Sequence, residues 1–487
     1  MAGKTLIAGY AGRLLSYADA KARARAPARA PAKAPAKAPA KTVLQAGALA
    51  GLLASLLALA GCTTYGDIDN LPASDEPSSS QYSIRNSQSD LPVSDTAVLL
   101  AFSGGGTRAA ALAYGVMKTL RNTPVPGTQD GHRLLEDVRG ISAVSGGSFT
   151  AAYYGLNGDD MFNTFESDFL RRDVAAVLFR NLWNPLHWFS RRGRTDFAVD
   201  FYDRTVFKGA TFADLKRQGG PMILLNASDL GHGVHFSFVQ EYFDLLCSDL
   251  SSFPVARAVA ASSAVPLVFH PVVLKRYGYC SQMPAPLTAS LAERARADAE
   301  LALLLDGLGS YDRGDDESYI HLVDGGITDN LGLRAIYEMF AVAGGAKAFF
   351  MSLHRDPPKR IVVISVNASI RQTFSMNRSN RRPSVAETML AMSDLQLRRY
   401  NATTLNLIKS SLARWTNELT SEEQPVKSWF IDLDFNDVQS TDELEMLNAI
   451  PTTMTLNDEQ IDRLIRVGEQ LLLDDDKFKA VLTDMER

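Results

Sequence analysis

Ser145 stands in the sequence Ala-Val-Ser-Gly-Gly, where an apolar run at residues 140–144 meets a run of small residues. A catalytic serine of an α/β enzyme often occupies such a place, because a sharp turn from strand to helix exposes its hydroxyl. The helix predicted at 146–156 would direct its positive end at the serine and favour the ionised hydroxyl. Ala143 departs from the Gly-x-Ser-x-Gly form by one methyl group. Ser145 is therefore a candidate nucleophile, and an ordinary small-residue turn is the alternative.

A glycine-rich turn and an acidic turn could supply the rest of this chemistry. In Ser-Gly-Gly-Gly-Thr-Arg, residues 103–108, the glycines let backbone N–H groups approach a developing anion closely. The turn lacks the spacing of a P-loop or a dinucleotide site. Asp324 ends an apolar run and precedes two glycines, so a carboxylate buried there could accept a proton from a hydroxyl. A turn without a ligand is the alternative at both places.

These turns need a scaffold that brings them together. From residue 96 onward, short apolar runs alternate with longer helical patterns, which predicts an α/β fold with a mainly parallel sheet. Ligands of such sheets bind beyond the carboxyl ends of the strands, where these turns lie. Strands are predicted at 97–102, 140–144, 222–226, 320–323, 361–366 and 429–435, and later helices at 385–413 and 458–473.

Taken together, the three turns resemble the patatin-like phospholipase family. The likeness extends through Thr-Phe-Ala-Asp-Leu at 211–215, Asn-Ala-Ser-Asp-Leu at 226–230 and the stretch 251–266, SSFPVARAVAASSAVP. It implies a three-layer α/β fold with a mainly parallel central sheet and helices on both faces. It also implies a lipid acyl hydrolase, of the phospholipase A or esterase type, that needs no cofactor and no metal.

The resemblance further assigns roles to individual residues. It implies a Ser145–Asp324 dyad, in which the serine attacks an ester carbonyl, the aspartate takes its proton, and water hydrolyses the acyl-enzyme. The oxyanion hole would be formed by the amides of Gly104, Gly105 and Gly106, with Arg108 supporting their loop.

Two other functions stay open at the level of sequence. A Ser-Asp-His α/β-hydrolase needs a histidine after the acid, and His354, in the polar stretch LHRDPPKR, is the only one beyond Asp324. A lipid-binding lipoprotein with a degenerate site would need no chemistry at all.

Residues 1–62 are predicted to be an export signal. A basic Ala/Pro repeat at 21–41 precedes an uncharged apolar run at 43–60, and Leu-Ala-Gly-Cys at 59–62 resembles the bacterial lipobox, whose cysteine is lipidated. A plain membrane anchor is the alternative. Thr63 stands where an inner-membrane retention signal has aspartate, which favours the outer membrane. We therefore expect a protein anchored in the bacterial cell envelope by lipid on Cys62, on the periplasmic side or surface of the outer membrane.

Composition limits the remaining functions and partners. Nine of the 50 Lys and Arg residues lie in residues 1–61, so the rest of the chain is more acidic than the net charge of −5 indicates. This balance argues against nucleic-acid binding. Cys62, Cys247 and Cys280 lack the spacing of a zinc site; the last two could form a disulfide or remain buried thiols.

The predicted organisation is an export signal at 1–62, a disordered tether at 63–95, a catalytic domain at 96–370 and an extension at 371–487 that packs on it. Within the domain, residues 177–194 combine Trp183, Trp188 and Phe189 with arginines, which suits a lipid interface, although burial in the core is the alternative. The stretch 371–384 is basic and predicted to be an exposed loop, with contact to lipid headgroups as the alternative.

Overall fold

The computed structural model describes residues 65–73, 81–89, 91, 94–128, 131–174, 176, 193–266, 268–278, 289–313, 318–371 and 375–487. Thr64–Arg487 is a compact unit that contributes every residue of two apolar cores. The predictions for the export signal, for Cys62 and Cys280, and for the aromatic residues of 177–192 lie outside the described residues. In the described portion of the chain, none of the helices is both long enough and apolar enough to cross a membrane.

Among the described residues, eight strands form one sheet in the order β10-β9-β2-β3-β4-β8-β7, with β5 also paired to β4; β1 and β6 form a separate pair. The five strands from β10 to β4 run parallel, and β5, β7 and β8 pair antiparallel with their neighbours. In chain order the strands are β1 Leu71–Pro72, β2 Thr96–Phe102, β3 Val138–Val144, β4 Met222–Asp229, β5 His235–Ser237, β6 Ser248–Asp249, β7 Val272–Lys275, β8 Tyr319–Asp324, β9 Arg360–Asn367 and β10 Lys427–Asp434.

Helices cover both faces of this sheet because its strands are apolar on both sides. On β2, Leu100 and Phe102 point into one apolar core, whereas Leu99 and Ala101 point into the other. In chain order the helices are α1 Ile84–Ser89, α2 Thr107–Asn122, α3 Gly146–Asn157, α4 Met161–Phe165, α5 Arg194–Tyr202, α6 Phe212–Gln218, α7 Gln240–Leu245, α8 Val255–Ser262, α9 Ala289–Ala297, α10 Ala299–Arg313, α11 Gly326–Asp329, α12 Leu333–Ala343, α13 Ala346–Ser352, α14 Val385–Leu419, α15 Thr441–Ala449, α16 Asp458–Asp474 and α17 Asp476–Met485. The α/β class predicted from the sequence is confirmed.

The segment before β2 is more ordered than its composition indicates. Tyr82 is 3% exposed, and its hydroxyl donates to the carbonyl oxygen and accepts from the N–H of Ile223. Asn70 is also buried and donates to the Ser248 hydroxyl at 3.0 Å. The prediction of a disordered tether is therefore wrong for residues 65–73 and 81–89, because these buried side chains fix a polar segment to the domain.

The C-terminal region shares the sheet and one of its helical layers. Strand β10 pairs with β9 over eight residues, and α16 packs against α2. The two helices approach so closely that a side chain at Gly115 would meet the Ile465 backbone, and one at Gly468 the Leu112 backbone. Residues beyond 370 thus complete the fold that positions the candidate site.

Candidate active site

Ser145 occupies a strained turn between β3 and α3. Its φ of 51° and ψ of −120° place a residue with a side chain in a region that only glycine adopts easily, at a typical cost of about 1–3 kcal/mol. The Ser145 N–H donates to the Ser262 hydroxyl at 2.8 Å, which holds the turn. The side chain stands at the amino terminus of α3, where the helix field favours negative charge on its oxygen.

Close backbone contact explains the two glycines after the serine. A side chain on Gly146 would overlap the carbonyl oxygen of Gly106, and one on Gly147 would meet the Cβ of Phe102. The start of α3 is therefore pressed against the glycine turn, residues 103–106. Glycine at 146 and 147 sets the distance between the nucleophile and the amides of that turn.

Asp324 lies beside Ser145 at the end of β8. The Ser145 hydroxyl donates to Asp324 Oδ2 at 2.8 Å, and the Gly326 N–H donates to Oδ1 at 2.8 Å. Both residues are nearly buried, with 7% and 8% of their surfaces exposed. Burial raises the pKa of Asp324 to about 6, although the hydrogen bonds from Gly326 and Ser145 oppose the shift. A carboxylate with this pKa is a stronger base than an ordinary aspartate and is still ionised at neutral pH.

Register explains why an antiparallel strand delivers this carboxylate. Val144, the last residue of β3, pairs with Asn226 on β4, and Ala227 pairs with Asp324. Strand β8 contacts β4 only at the last three residues of β4. It therefore starts beyond the carboxyl ends of the parallel strands and runs back to end beside them. The sequence predicted the strand before Asp324, but not its direction.

Ser262 connects the pieces of the site, and the sequence reasoning did not single it out. Its hydroxyl donates to the Asn226 carbonyl at 2.6 Å, accepts from the Ser145 N–H, and lies 2.8 Å from the Ser148 hydroxyl. Because its one proton is used on Asn226, Ser148 must donate to it. The Ser262 carbonyl also accepts from the Gly325 N–H. The stretch 251–266 supported the resemblance, but only the fold shows what its serine contacts.

The side chain of Asn226 is a second contributor that the sequence did not reveal. It is fully buried, donates to the Ser142 hydroxyl and the Ala143 carbonyl, and accepts from the Ser237 hydroxyl at 2.7 Å. These bonds fix the ends of β3 and β4 together just before the nucleophile. An apolar residue of this size would leave buried polar groups unpaired.

The glycine turn has two amides without an acceptor among the described residues, rather than three. The Gly104 N–H donates to the Asn330 carbonyl at 2.9 Å, so its predicted place in the oxyanion hole is wrong. Within the described residues, no acceptor lies on the N–H groups of Gly105 or Gly106. Their φ values of 143° and 63° require glycine. Gly104 instead anchors the turn beside Ser145, since a Cβ there would lie 3.4 Å from the serine Cβ.

Arg108 ties the glycine turn to two distant segments. It is 2% exposed; its Nε donates to the Ala368 carbonyl at 2.9 Å and its Nη1 to the Ile450 carbonyl at 2.8 Å. Burial lowers the pKa of this guanidinium to about 10. The Thr107 N–H, next to it, donates to the Thr453 carbonyl at 2.9 Å. These contacts join the glycine turn to two later segments of the chain, which agrees with the predicted role of Arg108 in supporting that turn.

His354 stands far from this cluster. It is exposed and follows α13, ahead of β9, so it lies near the amino-terminal edge of the sheet, opposite Ser145. Ser145 instead donates directly to Asp324. The geometry gives no support to a Ser-Asp-His triad that uses His354.

Two further sequence features have a definite place. Ala143 is fully buried in the middle sheet strand, paired with Phe102 and Leu225, so the methyl group that departs from the glycine form fits without disturbing the turn. Cys247 is disulfide-bonded, and Cys280, its predicted partner, lies outside the described residues.

A search of solved structures gives matches at low identity. Human GIVD cytosolic phospholipase A2 is 16% identical, with a TM-score of 0.37, over 81% of this chain and 62% of that protein. Its complex with methyl gamma-linolenyl fluorophosphonate gives 14% identity and a TM-score of 0.37, over 87% and 69% of the two chains. VipD from Legionella pneumophila gives 10% and 0.28, over 87% and 72%. At these TM-scores the likeness carries no information about activity.

A sequence comparison with curated proteins gives no match. A family model does match the stretch of the chain that holds the glycine turn, Ser145 and Asp324. Residues 100–337 match the model of the patatin-like phospholipase family, so the resemblance expected from the sequence is confirmed for that stretch of the chain.

Proposed function

We propose that this protein is a lipid acyl hydrolase that cleaves carboxylic esters with a Ser145–Asp324 dyad. The observation that carries the proposal is the 2.8 Å hydrogen bond from the Ser145 hydroxyl to Asp324, made by a serine in a strained turn at a helix amino terminus. The match of residues 100–337 to the patatin-like phospholipase family supports a lipid ester as the substrate.

Acylation would use the dyad directly. The Ser145 oxygen attacks the ester carbonyl carbon while its proton passes to Asp324 Oδ2, and a tetrahedral oxyanion forms. The Gly105 and Gly106 N–H groups are the donors available to this oxyanion, and the amino terminus of α3 adds a favourable field. As the intermediate collapses, the carbon–oxygen bond to the alcohol breaks, and the departing oxygen takes the proton from Asp324.

Deacylation would repeat these steps with water. Asp324 accepts a proton from the water that attacks the acyl carbonyl, and it returns the proton to the Ser145 oxygen as the fatty acid leaves. The N–H of Gly326 stays on Oδ1 and orients the carboxylate, so that Oδ2 faces the serine. No histidine takes part in either step.

A short-chain nitrophenyl ester tests the chemistry without requiring a membrane. The unit 64–487 should hydrolyse the ester and react with a serine-directed fluorophosphonate. The Ser145→Ala variant should do neither, while still unfolding in one cooperative thermal transition. Equal turnover by the two proteins would show that the site is not the catalyst and would favour a lipid-binding role.

We also propose that lipid on Cys62 anchors the protein at the bacterial outer membrane. The proposal is supported by the lipobox-like sequence at 59–62 and by Thr63 in place of aspartate. Cells that express the full chain should incorporate an alkyne-labelled fatty acid into it and carry it in the outer-membrane fraction. A Cys62→Ser chain should take up no label; label retained by this variant would overturn the proposal.

A further inference from the structure

Helix α14 changes character halfway along its 35 residues. From residue 401 onward it is built into the core, with Ile408, Leu412 and Trp415 at 4% exposure or less. Its amino-terminal segment, residues 385–397, projects from the molecule and is about 20 Å long. Large apolar side chains of this segment are mostly in solvent: Val385 78%, Leu390 63%, Met389 59%, Met392 59% and Leu395 49% exposed.

The projecting segment has one apolar face and one acidic face. Val385, Met389 and Met392 are four and three residues apart and share one face, whereas Glu387 and Asp394 share the opposite one. Exposed apolar residues scattered singly are ordinary, but a contiguous group of this size marks a binding surface. We call the face formed by Val385, Met389 and Met392 the apolar stripe.

The surface next to the apolar stripe is basic. Arg378, Arg381 and Arg382 are all exposed in the segment just before α14, and residues 375–384 contain no acidic residue. The chain as a whole carries a net charge of −5, so this concentration of positive charge is local. An apolar face bordered by arginines is complementary to an anionic lipid surface.

Helix α14 leaves the core close to the candidate active site. Asn401, where α14 enters the core, and Asn330 both donate to the Ser369 hydroxyl, at 3.4 and 3.2 Å. The carbonyl of Asn330 accepts from Gly104, which lies against Ser145. Only a few side chains therefore separate the projecting helix from the nucleophile.

Three exposed apolar residues flank Asp324 as well. Ile327, on α11, is 53% exposed and follows Asp324 by three residues. Val265 and Val268 are 44% and 53% exposed, and they follow Ala264, whose carbonyl accepts from the Asp324 N–H. Exposed apolar side chains are thus present at the rim of the site as well as on α14.

We propose that the apolar stripe and the three arginines before it dock the protein on an anionic lipid bilayer, with the candidate site opening toward that surface. The role in substrate delivery rests on the proposed hydrolase function, but the docking itself does not. A second copy of this chain is a poorer occupant. A two-fold dimer through the same patch would bring Arg381 and Arg382 of both copies together.

Vesicle sedimentation tests the docking independently of catalysis. The unit 64–487 with Ser145→Ala, which lacks the predicted lipid anchor, should bind vesicles of phosphatidylcholine with phosphatidylglycerol and bind pure phosphatidylcholine more weakly. Combining Val385→Ser, Met389→Ser and Met392→Ser should weaken binding by at least about tenfold, because three apolar side chains no longer enter the lipid. Arg378→Gln, Arg381→Gln and Arg382→Gln together should remove the preference for phosphatidylglycerol.

A matched variant carries the same number of serines elsewhere. Val342, Met351 and Leu473 are 43%, 68% and 52% exposed, away from the apolar stripe, and replacing all three with serine should leave vesicle binding unchanged. Thermal unfolding checks that each variant is folded. The proposal is overturned if the stripe variant binds like its parent, or if both serine variants lose binding equally. It is also overturned if the parent is a dimer that ignores vesicles and the stripe variant is a monomer. If vesicle binding is as expected but the unit 64–487 with Ser145 intact hydrolyses no ester, only the hydrolase function is refuted.

Discussion

Asp324 has to be ionised to take the Ser145 proton, so its raised pKa of about 6 predicts the pH dependence of hydrolysis. With a soluble ester, kcat/KM should rise as the pH increases through about 6 and level off above it, because the carboxylate form accumulates. Replacing Asp324 with Asn should lower kcat/KM by about 10²–10⁴-fold, the usual contribution of a general base. Initial rates between pH 5 and 8 measure both effects.

His354→Ala is the control for this pH profile. The residue is exposed near the opposite edge of the sheet, so the variant should keep the same rate and the same midpoint. A near-total loss of turnover in folded His354→Ala protein, or a profile without a midpoint between pH 5 and 7, would contradict the dyad.

The buried Asp324 carboxylate should lower the free energy of unfolding. Its pKa is 3.8 when unfolded and about 6 when folded, so the unfolded state ionises first as the pH rises, and stability falls between these values. Above pH 6 the cost is about 3 kcal/mol, since each pKa unit corresponds to about 1.4 kcal/mol. Asp324→Asn should therefore raise the free energy of unfolding at pH 8 by up to about 3 kcal/mol.

Denaturant titrations at several pH values test this expectation. The gain from Asp324→Asn should shrink as the pH falls from 6 toward 4, where the parent carboxyl also becomes neutral. A variant that is less stable than its parent at pH 8 would show that the carboxylate is better stabilised than its burial indicates. The strained Ser145 turn and this buried charge are costs that a purely structural core would avoid.

At the scale of elements, the approach of α3 to the glycine turn sets the oxyanion geometry. Gly146→Ala would force the Gly106 carbonyl away from the start of α3, displacing the Gly105 and Gly106 amides from Ser145. We expect kcat for a soluble ester to fall by about 10²–10³-fold, as when one oxyanion donor is lost. Gly220→Ala is the matched control, because a Cβ there meets no atom within 4 Å and its φ is not positive. Turnover of Gly146→Ala within threefold of the parent would contradict this arrangement.

The elements around the site were largely predictable because their signals are local. All six predicted strands overlap strands of the structure, since β-branched and apolar runs bounded by turn residues mark them. The direction of β8 was not predictable, because it depends on pairing with the end of β4, a contact distant in sequence. The order of 65–73 and 81–89 was missed for the same reason, as it follows from buried contacts such as that of Tyr82 with Ile223.

The candidate site, too, was predictable from the sequence only in part. Ser145 and Asp324 stand in turns whose composition indicates them, and the structure brings them together. The Gly104 amide was assigned to the oxyanion hole because glycine spacing does not reveal that this N–H donates a hydrogen bond to the Asn330 carbonyl. Ser262 and Asn226 stand in stretches that supported the resemblance, but their roles were not predicted, because these roles lie only in the partners that the fold supplies.

At the scale of the whole molecule, the region beyond residue 370 belongs to the fold that makes the site. It supplies β10 to the sheet, packs α16 on α2, and offers the Ile450 and Thr453 carbonyls that hold the glycine turn through Arg108 and Thr107. The predicted catalytic domain, 96–370, would lack all of these contacts. A division of the chain at this point is therefore not expected to leave a working enzyme.

A chain truncated to 64–370 should fail to fold. It would lose core side chains that are each at most 4% exposed, among them Ile408, Leu412, Trp415, Ile461, Leu464, Leu472 and Phe478. At about 1.5–3 kcal/mol each, these seven account for on the order of 10 kcal/mol or more, as much as the whole stability of a typical domain. We expect insoluble protein or a broad, non-cooperative thermal transition by circular dichroism, whereas the unit 64–487 should unfold cooperatively. Soluble 64–370 protein with a sharp transition and ester turnover would show instead that the C-terminal region is an appendage, and that the Ile450 and Thr453 carbonyls are dispensable for the glycine turn.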